Sequence, residues 1–284
     1  MQKLIRKHKD KILQKNWKDG VLYFTFPSLS AEKNIVHGFS SRIGGVSENE
    51  FAQMNLSFSR GDKKESVEEN YRRIADAIGF DHHKIVCSHQ THTNHVREVT
   101  MQDCGKGYLC ERDYSDVDGL VTNVPGIVLA TFYADCVPLY FADPVHCAVG
   151  LSHSGWRGTV SNIAGETVRK MQELYGTDPK DIRAAIGPSI CQDCYEVSED
   201  VIEQFREAYE EKWWPMLFEK GKEEGKYQLN LWEACRCNMM RVGILPEHIE
   251  VTDVCTCCNP QILFSHRASH GKRGNLAAFL GIRE

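Results

Sequence analysis

Short apolar runs, many of them β-branched, recur along the chain at 21–26, 35–40, 84–88, 127–133, 147–152, 182–186, 249–254 and 262–265, and each reads as a β-strand. Between them the apolar positions step by three and four. Ser66-Val-Glu-Glu69 has the form of a capping box, and Tyr71, Ile74 and Ile78 follow on one face, which predicts a helix. A second helix is expected over 162–175, with Ile163, Val168, Met171 and Leu174 inward and Gly176 placed to end it. A third covers 200–211, and a fourth carries Leu231, Cys235, Met239 and Val242 at helical steps. Strands and helices interleave irregularly and nothing repeats. The pattern predicts an α/β (α+β) fold, a mixed β-sheet covered by helices rather than a barrel or a sandwich.

Two stretches depart from this pattern. In 212–227, Trp213, Trp214 and Pro215 precede a dense charge run, as in a surface insertion with the tryptophans packed beneath it. At the start, Lys3, Arg6, Lys7, Lys9, Lys11, Lys15 and Lys18 crowd residues 1–18 without the apolar stretch of a signal peptide. That segment reads as a solvated basic extension, leaving 19–284 as one domain.

Composition narrows the class. With 284 residues, 42% hydrophobic and 26% charged, the chain can bury a full core, which excludes disordered and fibrous classes. A formal charge of -5 offers no general attraction for nucleic acid or acidic lipid. The least polar stretch, 120–134, is too short to span a bilayer and is broken by Asn123, Pro125 and Gly126. Twelve cysteines without a secretion signal read as reduced thiols, so a soluble cytoplasmic protein is expected.

Candidate chemistry gathers where the strands end. The segment Ser88-His-Gln-Thr-His92-Thr-Asn-His95 offers three imidazoles, His89, His92 and His95, each by itself more often a bystander than a ligand. Asp135 and Cys136 set a carboxylate and a thiol side by side after the run ending at Tyr133. Ser152-His153-Ser-Gly-Trp-Arg157-Gly158 closes the next strand with glycines that allow close backbone approach. Together the three loops supply imidazoles and a thiolate in the number that an open zinc site uses.

Six motifs in order, Phe39-Ser-Ser-Arg42-Ile-Gly-Gly-Val-Ser47, Gln90-Thr-His92-Thr-Asn-His-Val96, Ala134-Asp-Cys136, Ser152-His153-Ser-Gly-Trp-Arg-Gly158, Gly187-Pro-Ser-Ile-Cys191 with Tyr195-Glu-Val197, and Phe264-Ser-His-Arg267, resemble the YfiH/YlmD laccase-domain family. They span most of the chain. The resemblance implies that the metal ligands fall on His92, Cys136 and His153, with His89 and His95 as second choices, and that the metal is zinc rather than copper. It implies phosphorolysis of purine nucleosides (adenosine, inosine, methylthioadenosine), with adenosine deamination beside it. Departures are Thr93 after the first ligand histidine, where the family usually has glycine, and Cys191-Gln-Asp-Cys194. The latter reads as simple thiols, or as a redox pair or metal clip with Cys255, Cys257 and Cys258.

For phosphorolysis the expected anion clamps are Arg42, Arg157 and Arg267, and Asp135 either protonates the base or orients a ligand histidine. Rival chemistries use the same residues. Cys136 as nucleophile with a histidine base would make a hydrolase or amidase acting on cell-wall precursors. A copper polyphenol oxidase lacks His-x-His pairs here, and Met101 is the only nearby axial thioether. A deaminase of the His-x-Glu and Pro-Cys-x-x-Cys type fails on motif order. A non-enzymatic module would close the site with a fourth protein ligand.

Overall fold

Along the strand Val128–Tyr133, Leu129 and Tyr133 point to one side and Val128 and Ala130 to the other, and the two sets belong to different cores. The same holds for Leu276–Ile282, where Leu276, Ala278 and Leu280 face one core and Ala277 and Phe279 the other. These two strands pair antiparallel at the centre of a six-stranded sheet. The protein, a computed structural model that describes residues 3–8 and 11–284, is layered around them.

From edge to edge the first sheet runs Gln14–Lys18, Val21–Thr25, Ile35–Ser40, Leu276–Ile282, Val128–Tyr133 and Ile85–Cys87, the last pair parallel. The second runs Ile249–Val251, Arg183–Ile186, Val137–Asp143, Ala148–Ser154, Gly119–Thr122 and Val96–Glu98, with both outer pairs parallel. The sheets share a buried core in which Phe24, Phe39, Leu129, Tyr140, Leu151 and Leu280 are packed together. On the outer face of the first lies the helix Lys64–Ile78, burying Val67, Tyr71 and Ile74. On the outer face of the second lie Ile163–Tyr175 and Leu231–Arg241, with Ile163, Val168, Met171, Cys235 and Met239 inward. The mixed α/β architecture with a helical cover is therefore present, with two mixed sheets back to back in place of one.

Several local expectations shift. The helix predicted from Ser66 begins at Lys64 with no side-chain cap, which puts Ser66 inside the first turn and not at a cap position. Gly176 ends its helix as expected, at φ +74°, while Asn162 stands just before the helix as its cap, its side chain accepting from Gly165 N–H. Leu174 on that helix is exposed, not inward. Residues 262–265 are buried but form no strand. The charged 212–227 region is more than a surface loop: Phe218–Lys220 and Lys226–Leu229 join Glu196–Ser198 in a small antiparallel sheet. Trp213 and Trp214 pack against the neighbouring core, as expected.

The basic start of the chain, read as a solvated extension, is largely docked. Gln14–Lys18 pairs with Val21–Thr25, and Leu13 is buried. Arg6 forms an ion pair with Asp253, and Lys7 N–H donates to the Asp253 carbonyl at 2.8 Å. Ile5 exchanges hydrogen bonds of 2.7 and 2.9 Å with the Asn259 amide. The apolar residues between the cations and the buried Asp253 carboxylate outweigh the solvation of the lysines. Lys9 lies outside the described residues. Among those described, no helix is long and apolar enough to cross a membrane.

Candidate metal centre

The register of the second sheet builds the site. Pro138 pairs with His153 and Val137 with Ser154, so Cys136, one residue before its strand, falls beside His153 and Gly155. On the other flank Gly119 pairs with Ser152, and His153 N–H donates to the Asp118 carbonyl at 2.8 Å. Three neighbouring strands thus present a thiol, an imidazole and a carboxylate in a row. Pro138 is tolerated because its carbonyl, on the same side as its ring nitrogen, accepts from Gly187 at 2.8 Å, just past the last residue of the adjoining strand.

His92 arrives from the first sheet, on the loop that follows Ile85–Cys87. Gln90 fixes that loop as a strand partner would: its side chain accepts from Phe132 N–H at 2.6 Å and donates to the Phe132 carbonyl at 2.7 Å. The loop then wraps the buried Asp118 carboxylate, which accepts from the N–H groups of Thr91 (3.0 Å), His92 (3.1 Å) and Thr93 (3.0 Å) and from the Thr93 hydroxyl (3.0 Å). His153 Nδ1 stands 2.7 Å from the same carboxylate. His92 is held at φ +68°, a conformation that few residues other than glycine adopt without such support.

The outcome is a tight cluster. His92 Nε2 lies 3.9 Å from Cys136 Sγ, and the ligand atoms of His92, Cys136 and His153 all lie within 4.8 Å of one another. With Nδ1 of His153 engaged by Asp118, its Nε2 faces the thiol. Gly155 permits the approach: a Cβ there would stand 2.8 Å from His92 Cδ2 and 3.3 Å from Cys136 Sγ. Burial opposes ionisation of the Cys136 thiol, but the charge and hydrogen bond of His153 and the hydrogen bond of His92 pull it down to about 6. Burial likewise opposes the charge of His153, yet the Cys136 thiolate and Asp118 raise it to about 9. Asp118, which burial would raise, is held at about 2 by His153 and the loop amides.

The other expected site residues lie elsewhere. The Asp135 carboxylate is taken up by the Thr256 hydroxyl at 2.6 Å and Arg267 N–H at 2.7 Å, so the carboxylate that orients a histidine here is Asp118, not Asp135. Asp118 escaped the sequence reading, although it too stands directly before a short apolar run, as Asp135 nearly does. His95 is turned to the Asp116 carbonyl, 3.0 Å away. Arg42 donates to the carbonyls of Ala52 and Pro260 and lines a separate cleft. Arg157 lies over the Trp156 ring, and Arg267 donates to the carbonyls of Cys194 and Glu196. None of these three guanidinium groups lines the cleft above the cluster.

That cleft, about 420 Å³, is lined instead by Arg60, Arg112 and Arg273, together with His89, Gln90, Phe58 and Phe132. Arg112 donates to the Ser88 carbonyl at 2.9 Å and Arg60 to the Gly271 carbonyl at 3.1 Å. Arg273 keeps a buried Nε with no hydrogen-bond partner, and burial, with Arg60 beside it, lowers its pKa to about 10. His89 accepts from Asp116 N–H through Nδ1 at 3.1 Å, which leaves the proton of the neutral ring on Nε2. Three cations and an open cluster of soft ligands in one cavity suit an anionic co-substrate beside a metal.

Known proteins are similar to this chain in sequence and fold. The family model described as multi-copper polyphenol oxidoreductase laccase matches residues 36–283. The purine nucleoside phosphorylase YlmD of Bacillus subtilis is 38% identical over 259 residues, 89% of this chain and 90% of that protein. The crystal structure of YlmD from Geobacillus stearothermophilus aligns with a TM-score of 0.85 at 35% identity, covering 97% of this chain and 100% of that one. The Bacillus licheniformis hypothetical protein YfiH gives the same TM-score at 34% identity, covering 94% and 97% of the two chains. With the match running through nearly the whole fold and through the loops that carry His92, Cys136 and His153, the chain belongs to the laccase-domain family of YlmD and YfiH.

Proposed function

We propose that this protein is a metal-dependent purine nucleoside phosphorylase acting in the cytoplasm on adenosine, inosine and methylthioadenosine, with zinc held by His92, Cys136 and His153. The observation that carries the reading is the convergence of those three ligand atoms within 4.8 Å at a cleft lined by three arginines. The name borne by the Bacillus subtilis relative points the same way.

The donor set fits zinc. Two imidazoles and one thiolate are borderline-soft, and among the described residues no fourth His, Cys, Asp or Glu joins the group. This favours an open catalytic position over a closed structural module. Copper is less well served: a blue-copper arrangement wants a weak axial thioether, no methionine lines the cleft, and Met101 lies exposed elsewhere. When bound, zinc would supply Lewis-acid polarisation of a substrate heteroatom.

The protein's own groups account for the rest. Phosphate sits among Arg60, Arg112 and Arg273, three cationic side chains that line the same cleft. A phosphate oxygen bonds to ribose C1′ as the C1′–N9 bond breaks, and the purine leaves with the bonding pair. The His89 Nε2 proton relieves that charge by hydrogen bonding to the base, and Phe132 offers a face for the ring. Adenosine deamination is a second activity of the same cleft.

Incubating the purified protein with phosphate and adenosine or inosine is expected to release free base and ribose 1-phosphate. Inosine formed from adenosine without phosphate would report the deaminase activity. If no nucleoside is consumed by zinc-loaded protein, the reading fails. A finer test concerns Asp118. Asp118→Asn removes the carboxylate that binds His153 and gathers the His92 loop, and is expected to weaken zinc binding by about 10–100-fold in competition with a chromophoric chelator. Wild-type affinity in that variant would remove Asp118 from this role.

A further inference from the structure

Away from the cleft, two Cys-x-x-Cys turns meet. Cys191 and Cys194 follow the strand Arg183–Ile186, and Cys255 and Cys258 follow Ile249–Val251. These two strands pair in parallel, so the chain leaves both on the same side, and a bridge between Ser189 and Cys255 continues the pairing. Four sulfurs separated by 60 residues of chain are thereby brought within 4.8 Å of one another, with Cys194 and Cys258 at 3.5 Å. The sequence left Cys257 as an equal candidate, and the turn excludes it from the group.

We propose that Cys191, Cys194, Cys255 and Cys258 form a second, structural zinc site, a closed tetrathiolate separate from the catalytic cleft. A Zn–S bond of about 2.3 Å places tetrahedral sulfurs about 3.8 Å apart, close to the spacing found here. Four buried or half-buried thiols with no ion would behave as small hydrophobes and have no reason to point at a common centre. The surroundings suit thiolates. Cys191 N–H and Cys258 N–H both donate to Cys255 Sγ, at 3.2 and 3.4 Å. The Lys7 ammonium, paired with Asp193 at 2.9 Å, also reaches the Cys191 thiol and offsets part of the double negative charge of such a site. The group is too compact to enclose a cluster of several irons, and four sulfurs sharing one centre suit a single ion better than two disulfides.

The site would act as a clip behind the catalytic turn. Ile190 N–H donates to the Asp135 carbonyl at 3.0 Å, the Thr256 hydroxyl binds the Asp135 carboxylate at 2.6 Å, and Arg267 donates to the Cys194 carbonyl at 3.2 Å. Both Cys-x-x-Cys turns therefore hold the residue next to Cys136.

Elemental analysis of the full-length protein, loaded with zinc and passed through a desalting column, tests this without reference to any activity. Two zinc ions per chain are expected in the wild type and one in Cys136→Ala, which leaves the second site whole. Cobalt-loaded Cys136→Ala should show the intense visible bands and near-ultraviolet charge transfer of a tetrahedral tetrathiolate. Cys194→Ser and Cys258→Ser should each lose one ion and that spectrum. A metal-free Cys136→Ala, iron in place of zinc, or rapid alkylation of these four cysteines in the zinc-loaded native protein would overturn the proposal. Failure of the phosphorolysis assay would leave it standing.

Discussion

Replacing Cys136 with alanine is expected to lower kcat/KM for adenosine and inosine phosphorolysis by about 10³-fold, or about 4 kcal/mol of transition-state stabilisation. The thiolate is the shared vertex of the cluster: it faces the Nε2 atoms of both histidines, and its charge joins Asp118 in raising His153. Without it two imidazoles remain, and their affinity for zinc falls with the loss of the softest ligand. Free base measured against time reads the rate, and metal content of the same sample reads the cause. His153→Ala should lose as much, and the double variant little more, because the ligands act as a unit. A chelator separates this from a cysteine-nucleophile mechanism. Stripping the wild type should stop phosphorolysis, and zinc should restore it; a nucleophilic Cys136 would work on regardless. Turnover at the wild-type rate in Cys136→Ala would sink both readings.

Arg273→Ala is the second large effect expected, about 10²–10³-fold in kcat/KM for phosphate, the usual cost of one fixed donor to developing or bound negative charge. Arg273 lines the cleft that the cluster floors, and its buried Nε has no partner within the protein. Arg273→Lys should recover part of the loss by restoring the charge without the planar fork. Arg42→Ala provides the contrast, since that guanidinium is consumed by the Ala52 and Pro260 carbonyls in another cleft, and phosphorolysis should be unchanged. Initial rates at varied phosphate distinguish the two. Equal phosphate dependence in Arg273→Ala and the wild type would show that the anion binds elsewhere.

The sequence by itself determined what depends on neighbours along the chain. The strands at 21–25, 35–40, 128–133 and 148–154 and the helix Ile163–Tyr175 with Gly176 at its end were readable because short β-branched apolar runs, helical stepping and a terminal Gly are local signals. The central strand Leu276–Ile282 was not, since its run of Leu, Ala, Phe and Gly carries β-branching only at Ile282. Val137–Asp143 was hidden by Pro138, which only the ended neighbouring strand excuses. The doubling of the sheet followed from both faces of the central strands being apolar, a fact the sequence contains without saying what covers them.

At the site the motifs pointed to the loops of His92, Cys136 and His153, and resemblance chose among three histidines. Which atoms meet was decided by register. One residue of slip between the strands of Pro138 and His153 would turn His153 to the other face of the sheet, away from the thiol. Asp118, Arg60, Arg112 and Arg273 entered the site, and Arg42, Arg157 and Asp135 were taken by other partners, because a side chain's role is set by what reaches it across the fold. The four cysteines show the same division. Two Cys-x-x-Cys spacings were written in the chain, and only the parallel pairing of two distant strands brought their sulfurs to one point.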